Sequence, residues 1–299
     1  MATRVDPAAE GVATLTFDVE DWEHADFPQL SGKRDAIRTA VQERRYAMDA
    51  NTDRWIELLG RTGAKSTCFV LGEFAERYPD AVRRLARAGH EIASHGPTHD
   101  LIYEMSRSQF REFLRRGLGV LGGLTGETPI GFRAPSWSVD DRTPWFCEEL
   151  EAQGVRYDSS EFPLRTPLYG QPGAALAVHR VGRLLRIPVT VFAMGPIRFP
   201  FASGAFFRLA PLLLIRFGLA RAARKRLPVM LVLHPRELDP NHPRLPLRGW
   251  EGQVHYARLG TTVPKLAALL HRWRWCSIRE AYAPILADGV SPACSTSHG

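Results

Sequence analysis

Short, almost wholly apolar runs recur along this chain, each followed by a stretch with helical spacing, and no other feature restricts the fold as strongly. Residues 12–17, 66–71, 91–93, 130–133, 155–157, 186–192, 229–233 and 275–278 read as strands. Between them, 51–62 reads as a helix capped by Thr52, with Trp55, Ile56, Leu58 and Leu59 on one side. Further helices are expected over 73–88, interrupted near Pro79, and over 106–124, 144–153 and 263–273. Continuous apolar strands alternating with helices imply a parallel sheet covered on both faces. Asp18, His95, Arg133 and His234 each follow a strand end, so in a β/α barrel they would converge on one rim.

The chain has 299 residues, enough for one large α/β domain, and its 44% hydrophobic and 24% charged content is ordinary for a globular protein. Disorder is expected at the ends, 1–11 and 287–299. Cys68, Cys147, Cys276 and Cys294 are widely spaced with no C-x-x-C pair, which argues against a disulfide framework or a zinc ribbon. The first residues lack a signal-peptide pattern, so a cytoplasmic location is expected. The net charge of +7 comes mostly from arginine, in patches such as 183–186 and 221–226, with no nucleic-acid recognition motif beside it. Residues 205–220 are the most apolar stretch but include Arg208, Pro211 and Arg216, too charged and too short to span a bilayer. They read either as a core-facing helix with a solvated end or as an amphipathic helix touching a membrane surface.

Two segments carry chemistry. Phe17-Asp18-Val19-Glu20-Asp21-Trp22 packs three carboxylates into four positions just after the first strand, and Ser94-His95-Gly96-Pro97-Thr98-His99 offers two imidazoles on a Gly-Pro loop. Together they read as a divalent-metal site, in which three protein ligands leave a position open for water, as in hydrolytic metal centres. Gly96-Pro97 breaks any helix, so His95 and His99 form a loop clasp and not one helical face. Two imidazoles and a carboxylate suit zinc, with cobalt, nickel and iron as alternatives.

Thr-Phe-Asp18, Ser-His95-Gly-x-x-His99, Arg133-Ala-Pro-Ser-Trp137 and Leu-x-Leu-His234-Pro, in that order, resemble the motifs of the polysaccharide deacetylase family, also called the NodB-homology or carbohydrate esterase family four group. More narrowly, Asp-Val-Glu-Asp-Trp, Tyr157-Asp-Ser-Ser, Leu-His-Pro-x-Glu-Leu-Asp-Pro and His255-Tyr256 resemble the branch found in exosortase-associated exopolysaccharide loci. The resemblance implies a distorted (β/α) barrel of about seven units. It also implies a catalytic core over 12–160 and a branch-specific C-terminal part over 161–286 that completes the same barrel.

The implied activity is metal-dependent removal of N-acetyl groups from amino sugars, in an exopolysaccharide or its lipid-linked precursor at the inner membrane face. By motif, Asp18 is the general base, His95 and His99 are metal ligands, Arg133 pairs with the base, and His234 protonates the leaving amine. Trp137 is a candidate sugar-facing wall. Asp158 is a candidate substrate contact and acidic partner of His234, and the backbone N–H after Tyr157-Asp158 is a candidate oxyanion donor. The chain departs from the family where Val19 stands in place of the usual second aspartate, which leaves Glu20 and Asp21 as candidates for the third ligand. Residues two apart share one side of a strand, favouring Glu20, whereas a turn after Asp18 would bring in Asp21. Two other readings are a small cyclic amide or ureide hydrolase of the same fold and a non-catalytic glycan-binding protein.

Overall fold

The computed structural model describes residues 3–4, 11–24, 49–166, 169–195 and 197–287. Most of both expected terminal tails, with Cys294, lies outside them. In chain order the main elements are β1 (Thr3–Arg4), β2 (Val12–Val19), α1 (Asp49–Gly60), β3 (Thr67–Val70), α2 (Gly72–Arg77), α3 (Pro79–Arg87), β4 (Glu91–Ser94) and α4 (Arg107–Thr125). There follow β5 (Gly131–Phe132), α5 (Phe146–Ala152), β6 (Tyr157–Asp158), β7 (His179–Val181), β8 (Leu184–Arg186), β9 (Val191–Met194) and β10 (Ile197–Pro200). The last are α6 (Gly204–Leu209), α7 (Leu212–Arg224), β11 (Met230–Leu233), α8 (Gly249–Tyr256), α9 (Thr262–Leu270) and β12 (Arg274–Cys276).

One curled sheet organises them, in the order β1-β7-β8-β6-β5-β4-β3-β2-β11, with β12 also paired to β2. The strands from β8 through β11 in that order are parallel, and β7 and β1 form an antiparallel edge. The two ends approach each other through Thr190, whose hydroxyl donates to Pro228 O at 2.8 Å and accepts the Met230 N–H at 2.8 Å. With helices outside, this is a distorted (β/α) barrel. The sheet mixes early and late strands, since β2 sits between neighbours from both parts of the chain.

Alternation along β2, β3 and β11 sorts side chains between two of the three apolar clusters. Met230 and Val232 point to the barrel interior with Phe69, Ala93, Tyr157 and Ile187, while Leu231 and Leu233 pack outward with Phe17, Val19, Cys68 and Val70 under the helices. Trp55 of α1 stacks on Phe17 at 4.1 Å between ring centroids. Each such fully buried large side chain contributes about 1.5–3 kcal/mol. Because Phe17 and Val19 point outward, Asp18 between them must point inward.

Two expected elements divide at prolines. The single strand over 186–192 becomes β8 and β9, separated by Pro188, which has no N–H for a ladder. The helix over 205–220 becomes α6 and α7, broken at Pro211. α4 starts with a reciprocal cap: Ser106 Oγ accepts the Gln109 N–H, and the Gln109 side chain returns to the Ser106 N–H.

Candidate metal and catalytic centre

The carboxyl ends of β2, β4 and β11 deliver Asp18, His95 and His234 to one cavity of about 170 Å³, which Glu20, His99 and Trp137 also line. All six are largely buried. Glu20 reaches the cavity because the chain bends after Asp18: the Glu20 N–H donates to Asp18 O at 3.1 Å, and a short 3-10 turn, Trp22–His24, follows. Asp21 is turned the other way, with Oδ2 2.6 Å from Arg77 Nη1 and Oδ1 accepting the Trp22 N–H.

Glu20, His95 and His99 each place one donor atom within 4.8 Å of the other two. Glu20 Oε2 lies 2.9 Å from His99 Nε2 and 4.0 Å from His95 Nε2. Two imidazoles and a carboxylate so gathered fit a divalent cation, and Asp21 is not in the group. His95 Nδ1 donates to the Arg133 carbonyl at 2.8 Å, which fixes the ring and leaves Nε2 toward the cluster. Burial lowers the His95 imidazole to about 4, so it stays neutral and able to ligate at neutral pH. Burial alone would raise the Glu20 carboxyl, but Arg236, which forms a short ion pair with Oε1, and His99 hold it well below the usual carboxylate range.

The clasp between the two histidines depends on glycine. Gly96 has φ +89°, and a Cβ there would stand 2.4 Å from Phe113 Cζ. Gly72 and Gly117 let α2 and α4 close on Pro97.

Arg133 is fully buried and holds Asp18 by Nη1 at 2.5 Å from Oδ1. The same nitrogen donates to Thr16 Oγ1 at 2.9 Å, and Nη2 donates to Ser159 Oγ at 3.0 Å. The guanidinium carbon sits 4.1 Å from the Phe69 ring centroid. With Oδ1 occupied, Asp18 turns Oδ2 toward His234, whose Nε2 is 3.9 Å away.

Asp158 is not the acid beside His234. It is fully buried, with Oδ2 2.8 Å from Arg186 Nε, and it does not line the cavity. Arg186, buried on the neighbouring strand β8, faces the Asp158 carboxylate in place of His234. The acid that faces His234 is Glu237, whose Oε2 accepts from His234 Nδ1 at 3.1 Å while Oε1 accepts from Arg208 Nε at 2.9 Å. Burial would raise the Glu237 carboxyl, but His234 and Arg208 bring it down to about 2, so it is ionised. Its signal in the sequence is the spacing in His234-Pro-Arg-Glu237, a short turn that brings the acid back to the ring. Arg236 and Arg208 had no such local signal. The oxyanion-donor expectation also fails for Ser159, whose N–H donates to Phe132 O at 2.9 Å within the sheet.

Trp137 lines the cavity among Tyr169 and Phe162, at 4.9 and 4.8 Å between ring centroids. Ser136 and Trp137 both hold positive φ, 49° and 47°, a strained pair that costs about 1–2 kcal/mol per residue. The indole N–H has no acceptor among the described residues. His255, Trp250 and Phe206, from the later part of the chain, line the same cavity.

Glu20, His95 and His99, the Arg133–Asp18 pair and the Glu237–His234 pair thus meet around one barrel mouth. Residues 6–157 match the family model described as polysaccharide deacetylase, and the chain belongs to that family. Residues 159–283 match a second model, described as a domain of unknown function (DUF3473). Among curated proteins, the chain is 32% identical over 117 residues to a peptidoglycan deacetylase-like protein of Gibberella zeae, covering 38% of this chain and 34% of that one. It is 28% identical over 115 residues to a peptidoglycan deacetylase of Helicobacter pylori, covering 38% of each. The matches thus span little more than a third of these relatives. Among solved structures, a putative polysaccharide deacetylase from Mycobacterium smegmatis superimposes with a TM-score of 0.63 at 22% identity over the full length of both chains, which speaks to the fold.

Proposed function

We propose that this chain is a metal-dependent de-N-acetylase acting on amino sugars of an exopolysaccharide or of its lipid-linked precursor, working in the cytoplasm at the inner face of the membrane. The observation that carries this reading is the convergence of Glu20, His95 and His99 with the Arg133–Asp18 and Glu237–His234 pairs around one cavity. Glu20, His95 and His99 would hold the cation, most simply Zn2+, which when bound polarises an acetamide carbonyl and acidifies water. Asp18 Oδ2 takes a proton from the attacking water, while Arg133, bonded to Oδ1, holds the carboxylate aimed. His234 Nε2 gives a proton to the departing nitrogen as its bond to the acyl carbon breaks, so that water and amide become acetate and amine. Glu237, on Nδ1, holds the ring in the orientation this step needs, with Nε2 toward the cavity. Trp137 offers a face to the sugar and an N–H to one of its oxygens.

The branch resemblance, in particular the Asp-Val-Glu-Asp-Trp and His-Pro-x-Glu motifs, favours an exopolysaccharide over a cell-wall polymer. The test is acetate release from N-acetylhexosamine oligomers by the metal-loaded protein, with allantoin as the competing substrate. Acetate release abolished in Asp18→Asn and His95→Ala supports deacetylation. Allantoin ring opening alone would make the chain a ureide hydrolase, and glycan binding without hydrolysis would make it a lectin-like protein.

A further inference from the structure

Between Glu161 and Glu237 the chain contains no aspartate or glutamate, while it carries arginines throughout. Within this stretch, β9 and β10 form a hairpin in which Met194 pairs in register with Ile197, and both are exposed, at 54% and 56%. The hairpin leans on α7 through Phe192, whose ring centroid is 6.0 Å from that of Phe217. On α7, Leu213 and Phe217 are 78% and 49% exposed. Leu213, Phe217, Arg221 and Arg224 follow at helical spacing, so one face runs from apolar to basic and ends in the exposed cluster Arg224, Lys225 and Arg226. These apolar side chains project from a hairpin tip and a helix.

We infer that this face of α7 and the β9–β10 hairpin is the docking surface for an anionic lipid bilayer. Apolar side chains projecting beside a basic cluster match the interfacial mode, in which the former enter the acyl boundary and the latter meet lipid phosphates. Charge complementarity selects the bilayer, because no carboxylate in this stretch would repel anionic headgroups. None of the described helices is long and apolar enough to cross a membrane, so the contact is peripheral. The surface also adjoins the cavity: Gly204, Phe206 and Arg208 of α6 line it, and exposed Leu209 ends the same helix just before α7. A docked molecule thus brings the cavity mouth near the lipid surface, where a lipid-linked glycan would be presented. This gives a location to the membrane contact proposed above and rests on that reading only for its purpose, not for its test.

The test is co-sedimentation of the full chain with vesicles of phosphatidylcholine alone and of phosphatidylcholine with phosphatidylglycerol. Binding is expected only with phosphatidylglycerol, and it should weaken as salt rises. Leu213→Asp/Phe217→Asp, and separately Arg224→Glu/Lys225→Glu, should each reduce the partition coefficient about tenfold or more, with unchanged thermal midpoint and unchanged acetate release from soluble oligomers. No binding by the parent protein, or equal binding by the folded variants, would overturn the inference. So would a parent dimer that Leu213→Asp/Phe217→Asp dissociates, since the face would then belong to a second copy. Failure of the deacetylase reading would show separately, as vesicle binding without acetate release.

Discussion

At the residue scale the centre turns on two charged choices. Glu20 joins His95 and His99, whereas Asp21 is spent on Arg77, so the two adjacent acids should behave differently. Glu20→Gln is expected to lower metal content and abolish acetate release. Asp21→Asn should keep its metal, as elemental analysis of the purified variants would show. Asp18→Asn should keep the metal and lose about 10²–10⁴-fold in kcat, the usual worth of a general base. Glu237→Gln should lose about 10–100-fold in kcat at unchanged metal content, because an oriented imidazole is lost but no ligand. Metal loss in Glu237→Gln would mean that Glu237 supports the cation and not the ring of His234. Asp18, His95, Arg133 and His234 were legible because each follows an apolar run. Glu237 was half legible from its spacing, and Arg236 was not, since its partner Glu20 is distant in the sequence and no local pattern encodes that pair.

At the scale of elements, strand ends and loop glycines position the chemistry. Gly96→Ala sets a Cβ against Phe113 at a positive φ, so it is expected to destabilise the fold by about 2–4 kcal/mol and to loosen the His95–His99 clasp. Chemical denaturation and metal affinity would read the two effects. The start of β4 carries a pH response. Burial pushes His90 down to about 4, and its Nδ1 accepts the Ser66 N–H at 3.2 Å. Its folded-state value lies below the ordinary 6.5, so the stability it supports is present above pH 6.5 and is lost as pH falls toward 4, where only the unfolded chain takes up the proton. The unfolding free energy should fall across that window, and less steeply in His90→Asn. The split of 186–192 and of 205–220 at Pro188 and Pro211 shows how far apolarity alone misleads. Hydrophobic runs mark what is buried, and a missing N–H decides where an element must stop.

At the scale of the whole molecule, the two parts of the chain matched by separate family models share one sheet. β2 is flanked by β3 on the path, and by β11 and β12 from beyond residue 159. A chain ending at residue 158 would expose the apolar flank of β2 and lack His234, Glu237 and Arg208. It is expected to show no cooperative thermal unfolding by circular dichroism, whereas a self-sufficient early part would melt cooperatively. The alternating pattern by itself determined a parallel sheet with helices outside and a rim that gathers Asp18, His95, Arg133 and His234, because the period of side chains and the direction of strands are local properties. Only the tertiary structure decided that Glu20 and not Asp21 faces the two histidines, that Glu237 replaces Asp158 beside His234, and that α7 and its hairpin leave an apolar, basic face outward. Those outcomes depend on a turn after Asp18 and on charges meeting across the barrel, which packing settles and no local sequence pattern contains.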